Sequence, residues 1–311
     1  MDPPPPSELI TLVRALPAAV PMLDRLGDGG GVHLVGGAVR ELLLGGQPQD
    51  LDLVVVGDAA AVARRLGGEL RAHDRFGTCT VVADGFTYDV AYARRETYAY
   101  PGALPVVEPA SLFEDLRRRD FTVNAAAIAL GGPRPGKLTA VPGALEDLPA
   151  HRLRVLHDLS FVDDPTRLLR LIRYQSRLRF GPVPGTRRLA LAAVRGGALR
   201  TVSGARVGAE LRLLAREQDP VAALHALREL ALDSAIHPGF GLRDPPLARR
   251  ALALLPGDGR GDLLALALCA RGIGVGGLAD LLAPLTLRAR KQETILEVAG
   301  RGNQIARALS E

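Results

Sequence analysis

The segment from Val32 to Val56, VHLVGGAVRELLLGGQPQDLDLVVV, constrains the fold more than any other stretch of the chain. It opens with four apolar residues that stop at two glycines, and the residues after the glycines have helical composition. A second turn, GGQP, leads into a run rich in β-branched residues, which is typical of a strand. The order strand, glycine turn, helix, turn and strand predicts that this part of the chain combines helices with a sheet.

The glycine turn at Gly36 and Gly37 predicts an anion site. Glycine lets the backbone approach a ligand closely, and the free N–H groups and dipole of the following helix favour phosphate. Arg40, in the first turn of that helix, can add a forked guanidinium contact. Two glycines before a helix are more often only a turn, so the prediction of an anion site needs further evidence from nearby residues.

Asp50 and Asp52 provide that support, because they open the second strand. Side chains alternate along a strand, so both carboxylates are expected on one face, with Leu51 and Leu53 on the other. Two carboxylates on one face beside a phosphate site predict a divalent metal site. The ordinary alternative is a pair of solvated or capping aspartates.

A third acid, Asp89, lies on the second strand of a predicted hairpin, residues 79–83 and 86–92, whose turn is Asp84-Gly85. Alternation puts Asp89 on the face opposite Tyr88 and Val90. Sites that hold two divalent ions about 3.5–4 Å apart need such a further carboxylate. We therefore predict that Asp89 joins Asp50 and Asp52 in a site for two Mg²⁺ ions, although a single acid on a strand is more often merely exposed.

Composition gives the broad class. With 311 residues and 47% hydrophobic content, two domains with buried cores are expected. The net charge of +5 indicates a polyanionic partner, and the positive charge is concentrated between Ser111 and Pro220, where 19 Lys and Arg accompany 11 Asp and Glu. A solvated, arginine-rich helical surface would give the same count.

The expected setting is cytoplasmic. Cys79 and Cys269 are far apart in apolar contexts, which fits a reducing compartment. The start, MDPPPP, has neither the basic residues nor the apolar core of a secretory signal. Uncharged apolar runs fall well short of the roughly 18 residues that a membrane span needs. We expect a soluble protein with no membrane partner.

The string RRDFTVNA, residues 118–125, predicts nucleotide binding. Arg119 can meet a phosphate, while Asp120 and Asn124 offer acceptors and donors suited to ribose hydroxyls. The same residues could instead cap and pin a helix. Residues 109–118 are expected to be a helix that leads into this string, after a loop over residues 94–108 that contains Pro and Gly.

A helix is predicted to begin at Pro165, with Asp164 as its N-cap and arginines recurring along one face. A carboxylate accepts from an exocyclic amino group, and a guanidinium donates to the adjacent ring nitrogen. Cytosine and adenine present that edge, whereas uracil and guanine do not. Asp164 and Arg167 could therefore select CTP and ATP. The structural alternative is a capped helix with a solvated ion-pair stripe.

These strings together resemble the DNA polymerase beta nucleotidyltransferase superfamily and, more narrowly, the bacterial-type (class II) tRNA nucleotidyltransferase and poly(A) polymerase family. Matching strings are VGGAVRE with DLD, RRDFTVNA, DDPTRLLRLIR and SGARVGAEL, spread over roughly residues 30–215. Four places depart from the family pattern. Glu41 replaces an aspartate, Asp163 replaces a glutamate, and Ala205 replaces a glutamate. Between Leu138 and Leu148, Ala140 and the single Gly143 stand where the family usually has an aspartate followed by paired glycines.

The resemblance implies an α+β fold class, in which an N-terminal nucleotidyltransferase head with a small mixed β-sheet and helices precedes an all-α neck and body. The expected domains are the catalytic head (1–148), a neck that recognises the base (149–220) and a body that contacts tRNA (221–311). SGARVGAEL, from Ser203, is interpreted as an element that braces the neck, with Arg206 and Glu210 four residues apart.

The implied activity is template-independent addition of CCA, or of the terminal A, to tRNA 3′ ends from CTP and ATP. The 3′-hydroxyl would attack the α-phosphate at a two-Mg²⁺ site. CC-adding relatives have a shortened loop before the RRD string, whereas residues 94–118 are full length here. A CC-adding enzyme, a poly(A) polymerase and a catalytically silent RNA-binding relative remain as alternatives.

The resemblance also assigns roles to residues. It implies that Asp120 helps to choose ribonucleotides and that Arg170 and Arg173 lie near the nucleotide phosphates or the primer. The complete predicted nucleotide-binding set is Gly36, Gly37, Arg40, Arg119, Asp120, Asn124, Asp164, Arg167, Arg170 and Arg173, and the predicted metal ligands are Asp50, Asp52 and Asp89.

Overall fold

The computed structural model describes residues 4–73, 77–283, 285 and 289–308. The chain divides into two compact units, which are described separately. Unit 1 comprises Met1–Ala99 and Pro105–His157, and unit 2 comprises Tyr100–Leu104 and Asp158–Glu311. A sheet-containing head followed by helices confirms the predicted fold class. The boundaries at residues 148 and 220 stay predictions.

Unit 1 is built around a mixed sheet of seven strands. The order is β3-β4-β5-β2-β1-β8-β9, in which β2 and β5 run parallel and the other neighbours are antiparallel. The strands of the unit are β1 (Val32–Val35), β2 (Leu51–Val55), β3 (Glu69–His73), β4 (Thr78–Ala83), β5 (Phe86–Tyr92), β6 (Arg94–Thr97), β7 (Val106–Pro109), β8 (Ala126–Ala129), β9 (Leu138–Ala140) and β10 (Arg152–Leu153).

Helices cover both faces of this sheet. On one face, Leu51, Leu53 and Tyr88 belong to the larger apolar cluster, which also contains side chains of the first four helices of the unit. On the other face, Val54 belongs to a smaller cluster together with Leu116 of a later helix. Leu51 and Leu53 are buried and Asp52 is exposed, as the alternation predicts. The helices of unit 1 are α1 (Pro6–Arg14), α2 (Ala19–Leu26), α3 (Gly37–Leu43), α4 (Ala59–Leu66), α5 (Leu112–Arg117) and α6 (Ala144–Asp147).

The predicted turns have the expected backbone. At the β4–β5 hairpin Asp84 and Gly85 have φ values of 53° and 81°, which a two-residue type I′ turn requires. Asp58 caps α4, because its carboxylate accepts from the Ala61 N–H at 2.9 Å. The strands and helices predicted between Val32 and Tyr92 are therefore confirmed, with shifts of about one residue at their ends, but β3 was not predicted.

The predicted loop over residues 94–108 is wrong, because β6 and β7 form an antiparallel hairpin there. Arg95 and Glu108 are register partners, and their side chains make an ion pair at 2.9 Å. The Pro and Gly residues that indicated a loop are confined to the connection between the two strands. Because Pro109 belongs to β7, α5 starts only after Ser111, which forms a capping box with Glu114.

Unit 2 is mainly helical and carries one two-residue strand, β11 (Gly181–Pro182), within the described residues. The helical run that begins at Pro220 ends at Ala231, whose φ is 56°. In the part of the chain described, every helix is too short or too polar to cross a membrane. The helices are α7 (Ser160–Asp163), α8 (Thr166–Leu178), α9 (Pro184–Arg195), α10 (Gly204–Leu214), α11 (Pro220–His225), α12 (Leu232–Ile236), α13 (Pro245–Ala253), α14 (Gly261–Ala270), α15 (Val275–Leu282) and α16 (Ala289–Ala308).

Candidate active site

Two of the predicted carboxylates face one pocket. The parallel pairing of β2 and β5 makes Asp52 and Asp89 register partners, so both side chains leave the same face of the sheet. Both are exposed, and both line a pocket of about 390 Å³. The Thr80 hydroxyl, on β4, donates to Asp89 Oδ1 at 2.7 Å. The polar residues around this pocket are Asp52, Thr78, Thr80, Asp89, Arg118 and Arg119.

Asp50 lies outside that pocket lining. It is exposed in a bend directly before β2 rather than within the strand. Across residues 4–73, 77–283, 285 and 289–308, no group of three or more His, Cys, Asp or Glu side chains is close enough to hold a metal ion. The structure thus brings Asp52 and Asp89 together, while the role of Asp50 as a third ligand stays a prediction.

Gly36 makes room for an arginine beside these acids. Its φ of 69° is in the left-handed region, which favours glycine. A Cβ at this position would lie 3.0 Å from Arg119 Nη1 and 3.6 Å from Asp52 Oδ2. The Nε of Arg119 is buried and has no hydrogen-bond partner within the residues that the structure describes. The glycine turn, the carboxylate and the guanidinium are therefore neighbours, with one donor available for a ligand.

A buried ion network fixes the two arginines of the pocket. Asp115 is fully buried, and its carboxylate accepts from Arg118 Nη2 at 2.7 Å and from Arg119 Nη2 at 3.0 Å. Glu96 extends the network, because its Oε1 accepts from Arg118 Nη1 at 2.6 Å and from Arg94 Nη2 at 3.3 Å. Each pocket arginine is thus oriented by an acid from its own unit.

The charge balance of the network favours an ionised Asp115. Burial raises the pKa of this carboxyl, but the nearby Arg118 and Arg119 guanidiniums lower it more, so the pKa lies below its usual range. The sequence prediction missed Asp115 and Glu96. The signal available for Asp115 was its spacing of three and four residues from the two arginines on a predicted helix.

Three further predicted residues form one buried chain of hydrogen bonds. Arg40 Nη1 donates to Asn124 Oδ1, and Asn124 Nδ2 donates to Asp120 Oδ1 at 2.8 Å. Asp120 Oδ1 also accepts from the Phe121 N–H at 2.8 Å. All three side chains are more than nine-tenths buried. Asn124 thereby couples the helix after the glycine turn to the RRD string.

In unit 2, Asp164 is held by a residue that the sequence prediction treated only as a brace. Asp164 Oδ1 accepts from the Thr166 N–H at 3.0 Å and from Arg206 Nη2 at 2.7 Å. Arg206 also donates to the Gly102 carbonyl at 3.0 Å. Helix α8 begins at Thr166, so Pro165 precedes the helix instead of occupying its first position. Asp164 nevertheless satisfies an N–H group of the first turn, as a cap does.

The arginines of α8 are also held from outside the helix. Arg167 is buried and donates to Ser160 Oγ at 2.8 Å. Arg170 and Arg173 lie 3.5 and 3.3 Å from the Glu210 carboxylate, which belongs to α10. The interpretation of SGARVGAEL as a brace therefore has a structural counterpart, since Arg206 and Glu210 both reach side chains at or next to α8.

Comparisons with known proteins agree with this geometry. Residues 32–154 match the poly(A) polymerase head domain. An A-adding tRNA nucleotidyltransferase of Geobacter sulfurreducens is 45% identical over 240 residues, which make up 74% of this chain and 27% of that protein. A CC-adding tRNA nucleotidyltransferase of Deinococcus radiodurans is 40% identical over 208 residues, or 65% of this chain and 54% of that protein. The chain spans between about a quarter and a half of the length of these curated relatives.

A solved structure extends the likeness to the whole chain. It is described as a CCA-adding enzyme in apo form II, and it superposes with a TM-score of 0.84 at 30% sequence identity. The superposition covers 100% of this chain and 77% of the other. The predicted family resemblance is therefore confirmed.

Proposed function

The chain belongs to the bacterial-type tRNA nucleotidyltransferase and poly(A) polymerase family, and we propose that it adds CCA, or the terminal A, to tRNA 3′ ends. The proposed substrates are CTP, ATP and the acceptor end of tRNA, and no nucleic-acid template takes part. The observation that carries the proposal is one pocket of unit 1, in which Asp52 and Asp89 are register partners beside Arg119 and Gly36.

The pocket fits the divalent metal on which nucleotidyltransferases of this family generally depend. Asp52 and Asp89 supply carboxylate oxygens, with the Thr80 hydroxyl next to them, and oxygen ligands are those that Mg²⁺ prefers. Asp50, at the start of β2, would complete the set. Bound Mg²⁺ stabilises the negative charge that develops during phosphoryl transfer.

The side chains of unit 1 are proposed to hold parts that every nucleotide shares. Arg119 has a donor available, and its guanidinium would bind the triphosphate together with the Gly36-Gly37 turn. Arg40 and Asn124 would keep that turn in place through their hydrogen bond, and Asp120 would contact the ribose. In this arrangement the primer 3′-hydroxyl loses its proton to water and its oxygen attacks the α-phosphorus. The bond from the α-phosphorus to the bridging oxygen breaks, and pyrophosphate leaves.

Unit 2 is proposed to supply base selection. The Asp164 carboxylate would accept from the amino group of cytosine or adenine, and Arg167 would donate to the neighbouring ring nitrogen. Arg206 keeps one oxygen of Asp164 oriented, and Ser160 does the same for Arg167. Arg170 and Arg173, oriented by Glu210, would contact nucleotide phosphates or the primer.

Terminal A addition has support from the relative that is 45% identical, whose name describes that activity. The full-length stretch over residues 94–118 supports both A addition and complete CCA addition. CC addition stays as an alternative because the relative that is 40% identical is named for that activity.

A primer series tests the proposal. Purified protein and Mg²⁺ are incubated with tRNA transcripts that end before the first C, after CC or after CCA, each with one labelled nucleotide. ATP incorporation on the CC-ended primer alone indicates A addition, and additional CTP incorporation on the shortest primer indicates CCA addition. CTP incorporation alone indicates CC addition, and A extension of the CCA-ended primer indicates poly(A) synthesis. Failure to incorporate any nucleotide would refute the proposal, and Asp52→Ala serves as the inactive control.

A further inference from the structure

The chain contains a long stretch without acidic residues, and only part of this stretch takes part in the proposed chemistry. From Pro165 to Ala209 there are ten arginines and neither aspartate nor glutamate. The first part of this stretch is α8. Arg177 pairs with Glu217 at 2.7 Å and Arg170 and Arg173 lie beside Glu210, while Arg167 donates to Ser160 Oγ. The second part includes α9, and its arginines have a different environment.

Three arginines occupy the solvent face of α9. Arg187, Arg188 and Arg195 are exposed, whereas Thr186, Ala190 and Ala193 on the opposite side are buried. Arg188 and Arg195 are seven residues apart, which is two helical turns, so they lie on one stripe about 10 Å long. Arg200, in the turn after α9, is exposed as well.

These arginines lack ion-pair partners. Within the described part of the chain, none of Arg187, Arg188, Arg195 and Arg200 makes an ion pair, and Arg195 Nε donates only to the Leu191 carbonyl at 3.2 Å. Long cationic side chains that neutralise no acid of their own keep their donors available to an external anion. We name Arg187, Arg188 and Arg195 the α9 arginine face.

The α9 arginine face is anchored near the residues that are proposed to read the base. Helix α9 packs against α7, and α7 carries Ser160, which binds the Arg167 side chain. Asp164 follows α7 directly in the chain. Because the primer 3′ end attacks the nucleotide whose base Asp164 and Arg167 are proposed to read, the phosphates upstream of that end would lie near unit 2.

We propose that the α9 arginine face binds the phosphate backbone of the primer tRNA, upstream of its 3′ end. This inference rests on the proposed function and adds a contact surface to it. Contacts to phosphates position a nucleic acid without reading its sequence, and arginines that neutralise phosphates make binding depend on salt. The face therefore holds the acceptor arm in register, while selection of the incoming nucleotide is left to the residues at the start of α8.

The test compares two triple variants that remove the same charge. R187Q/R188Q/R195Q neutralises the α9 arginine face, and R14Q/R64Q/R134Q neutralises three exposed arginines of unit 1. Binding of a CC-ended tRNA transcript is measured by fluorescence anisotropy over a range of salt concentrations. For the first variant we expect the slope of log K against log salt to fall by about 2 to 3, since each lost phosphate contact contributes slightly less than 1. The second variant should keep the wild-type slope.

Incorporation kinetics separate this inference from the proposed function. At constant moderate salt, KM for the primer should rise about tenfold or more in R187Q/R188Q/R195Q, while KM for ATP and kcat at saturating primer change less than about twofold. An unchanged salt slope, or an equal loss in the control variant, would overturn the inference even if the enzyme is active. If the wild type binds tRNA through this face but incorporates nothing, the proposed function fails and the surface assignment stands. Unchanged tRNA binding together with lost binding to phosphatidylserine vesicles would replace RNA by a membrane surface and overturn the assignment.

Discussion

The pocket of unit 1 and the start of α8 in unit 2 both fix functional side chains with ionic contacts, but the contacts come from different distances along the chain. In unit 1, Asp115 lies three and four residues before the arginines that it orients. In unit 2, Asp164 is held by Arg206, which is 42 residues further on. The Asp115 contacts can therefore be predicted from local sequence spacing. The Asp164–Arg206 contact depends on the tertiary packing of α10 against α8.

The two regions also differ in what they are proposed to contact. The carboxylates and arginines of unit 1 are proposed to contact the metal and the triphosphate and ribose, and CTP, ATP, UTP and GTP share these two groups. Asp164 and Arg167 are proposed to contact the base, which distinguishes these nucleotides. Substitutions in unit 1 should therefore change the rate with every nucleotide, and substitutions around Asp164 should change the preference among nucleotides.

The largest effect is expected from the two carboxylates of the pocket. Asp52→Asn and Asp89→Asn each remove a charged oxygen ligand, and we expect incorporation of every nucleotide to fall on the order of a thousandfold or more. Single-turnover extension of a CC-ended primer measures the loss, with Asp24→Asn on α2 as an exposed control. A similar loss in Asp50→Asn would add Asp50 to the metal ligands, whereas near-normal activity in Asp52→Asn would disprove the site.

A smaller loss of rate is expected from Asp115→Asn. The substitution removes the shared counter-charge of the partly buried Arg118 and Arg119, and within the described residues only Arg118 keeps a second acid, Glu96. The loss should destabilise unit 1 by about 3 kcal/mol. For the fraction that stays folded, kcat/KM should fall about ten- to hundredfold, because a misplaced positioning group costs rate without changing the chemistry.

The neighbouring acid on the same helix provides the control for this prediction. Glu114 is exposed and only caps α5, so Glu114→Gln should lower the melting temperature slightly and leave kcat/KM near the wild-type value. A change in nucleotide preference in Asp115→Asn, with the rate preserved, would contradict the division between the two regions.

Arg206→Gln should affect preference more than rate. It removes the charged donor to Asp164 and leaves only the contacts from Thr166, so we expect discrimination against UTP and GTP to weaken about tenfold, within the range of a bidentate base contact. Competition between labelled ATP and UTP on the CC-ended primer measures it. Arg212→Gln, which removes a bond to the Leu285 carbonyl from the same helix, should leave the preference unchanged. Equal loss of ATP and UTP incorporation in Arg206→Gln would count against a role in base selection.

The smallest effect concerns pH. The folded-state pKa of Asp115 is lower than that of an unfolded aspartate, about 3.9, since Arg118 and Arg119 outweigh the effect of burial. The ion pairs therefore contribute fully above about pH 4, and the contribution is lost as the pH falls through the folded-state pKa. The difference in melting temperature between wild type and Asp115→Asn should be constant from about pH 5 to 7 and shrink in stronger acid. A difference that shrinks toward alkaline pH would contradict the ion pairing.

Much of unit 1 could be predicted from the sequence because its signals are local. The glycine turn, the Asp84-Gly85 hairpin and the alternation around Asp52 and Asp89 each depend on neighbouring residues. The β6–β7 hairpin was missed because its strands are four residues long and enclose a connection rich in Pro and Gly. A short two-stranded hairpin held by the Arg95–Glu108 pair has too little periodicity to be distinguished from a loop.

The parts that could not be predicted are partnerships between distant residues. Arg206 and Glu210 are four residues apart, which indicated a contact within one helix, whereas the structure directs them to Asp164 and to the arginines of α8. Glu96 on β6 reaches Arg118 in the same way, across 22 residues. Helical spacing shows which side chains share a face, but the packing of other elements decides what that face contacts.

The most direct test of the division is the use of all four nucleotides by Asp164→Asn. Single-turnover rates with ATP, CTP, UTP and GTP are measured on CC-ended and shortest primers, beside wild type and Asp52→Asn. The account predicts that Asp164→Asn keeps a measurable rate and uses UTP and GTP about 5- to 150-fold more readily relative to ATP and CTP, as expected for loss of 1–3 kcal/mol of base discrimination. In Asp52→Asn the incorporation rates of all four nucleotides should fall by the same factor. The proposed division between the two units would be contradicted if Asp164→Asn lowered the incorporation rates of all four nucleotides equally, or if it kept the wild-type nucleotide preference.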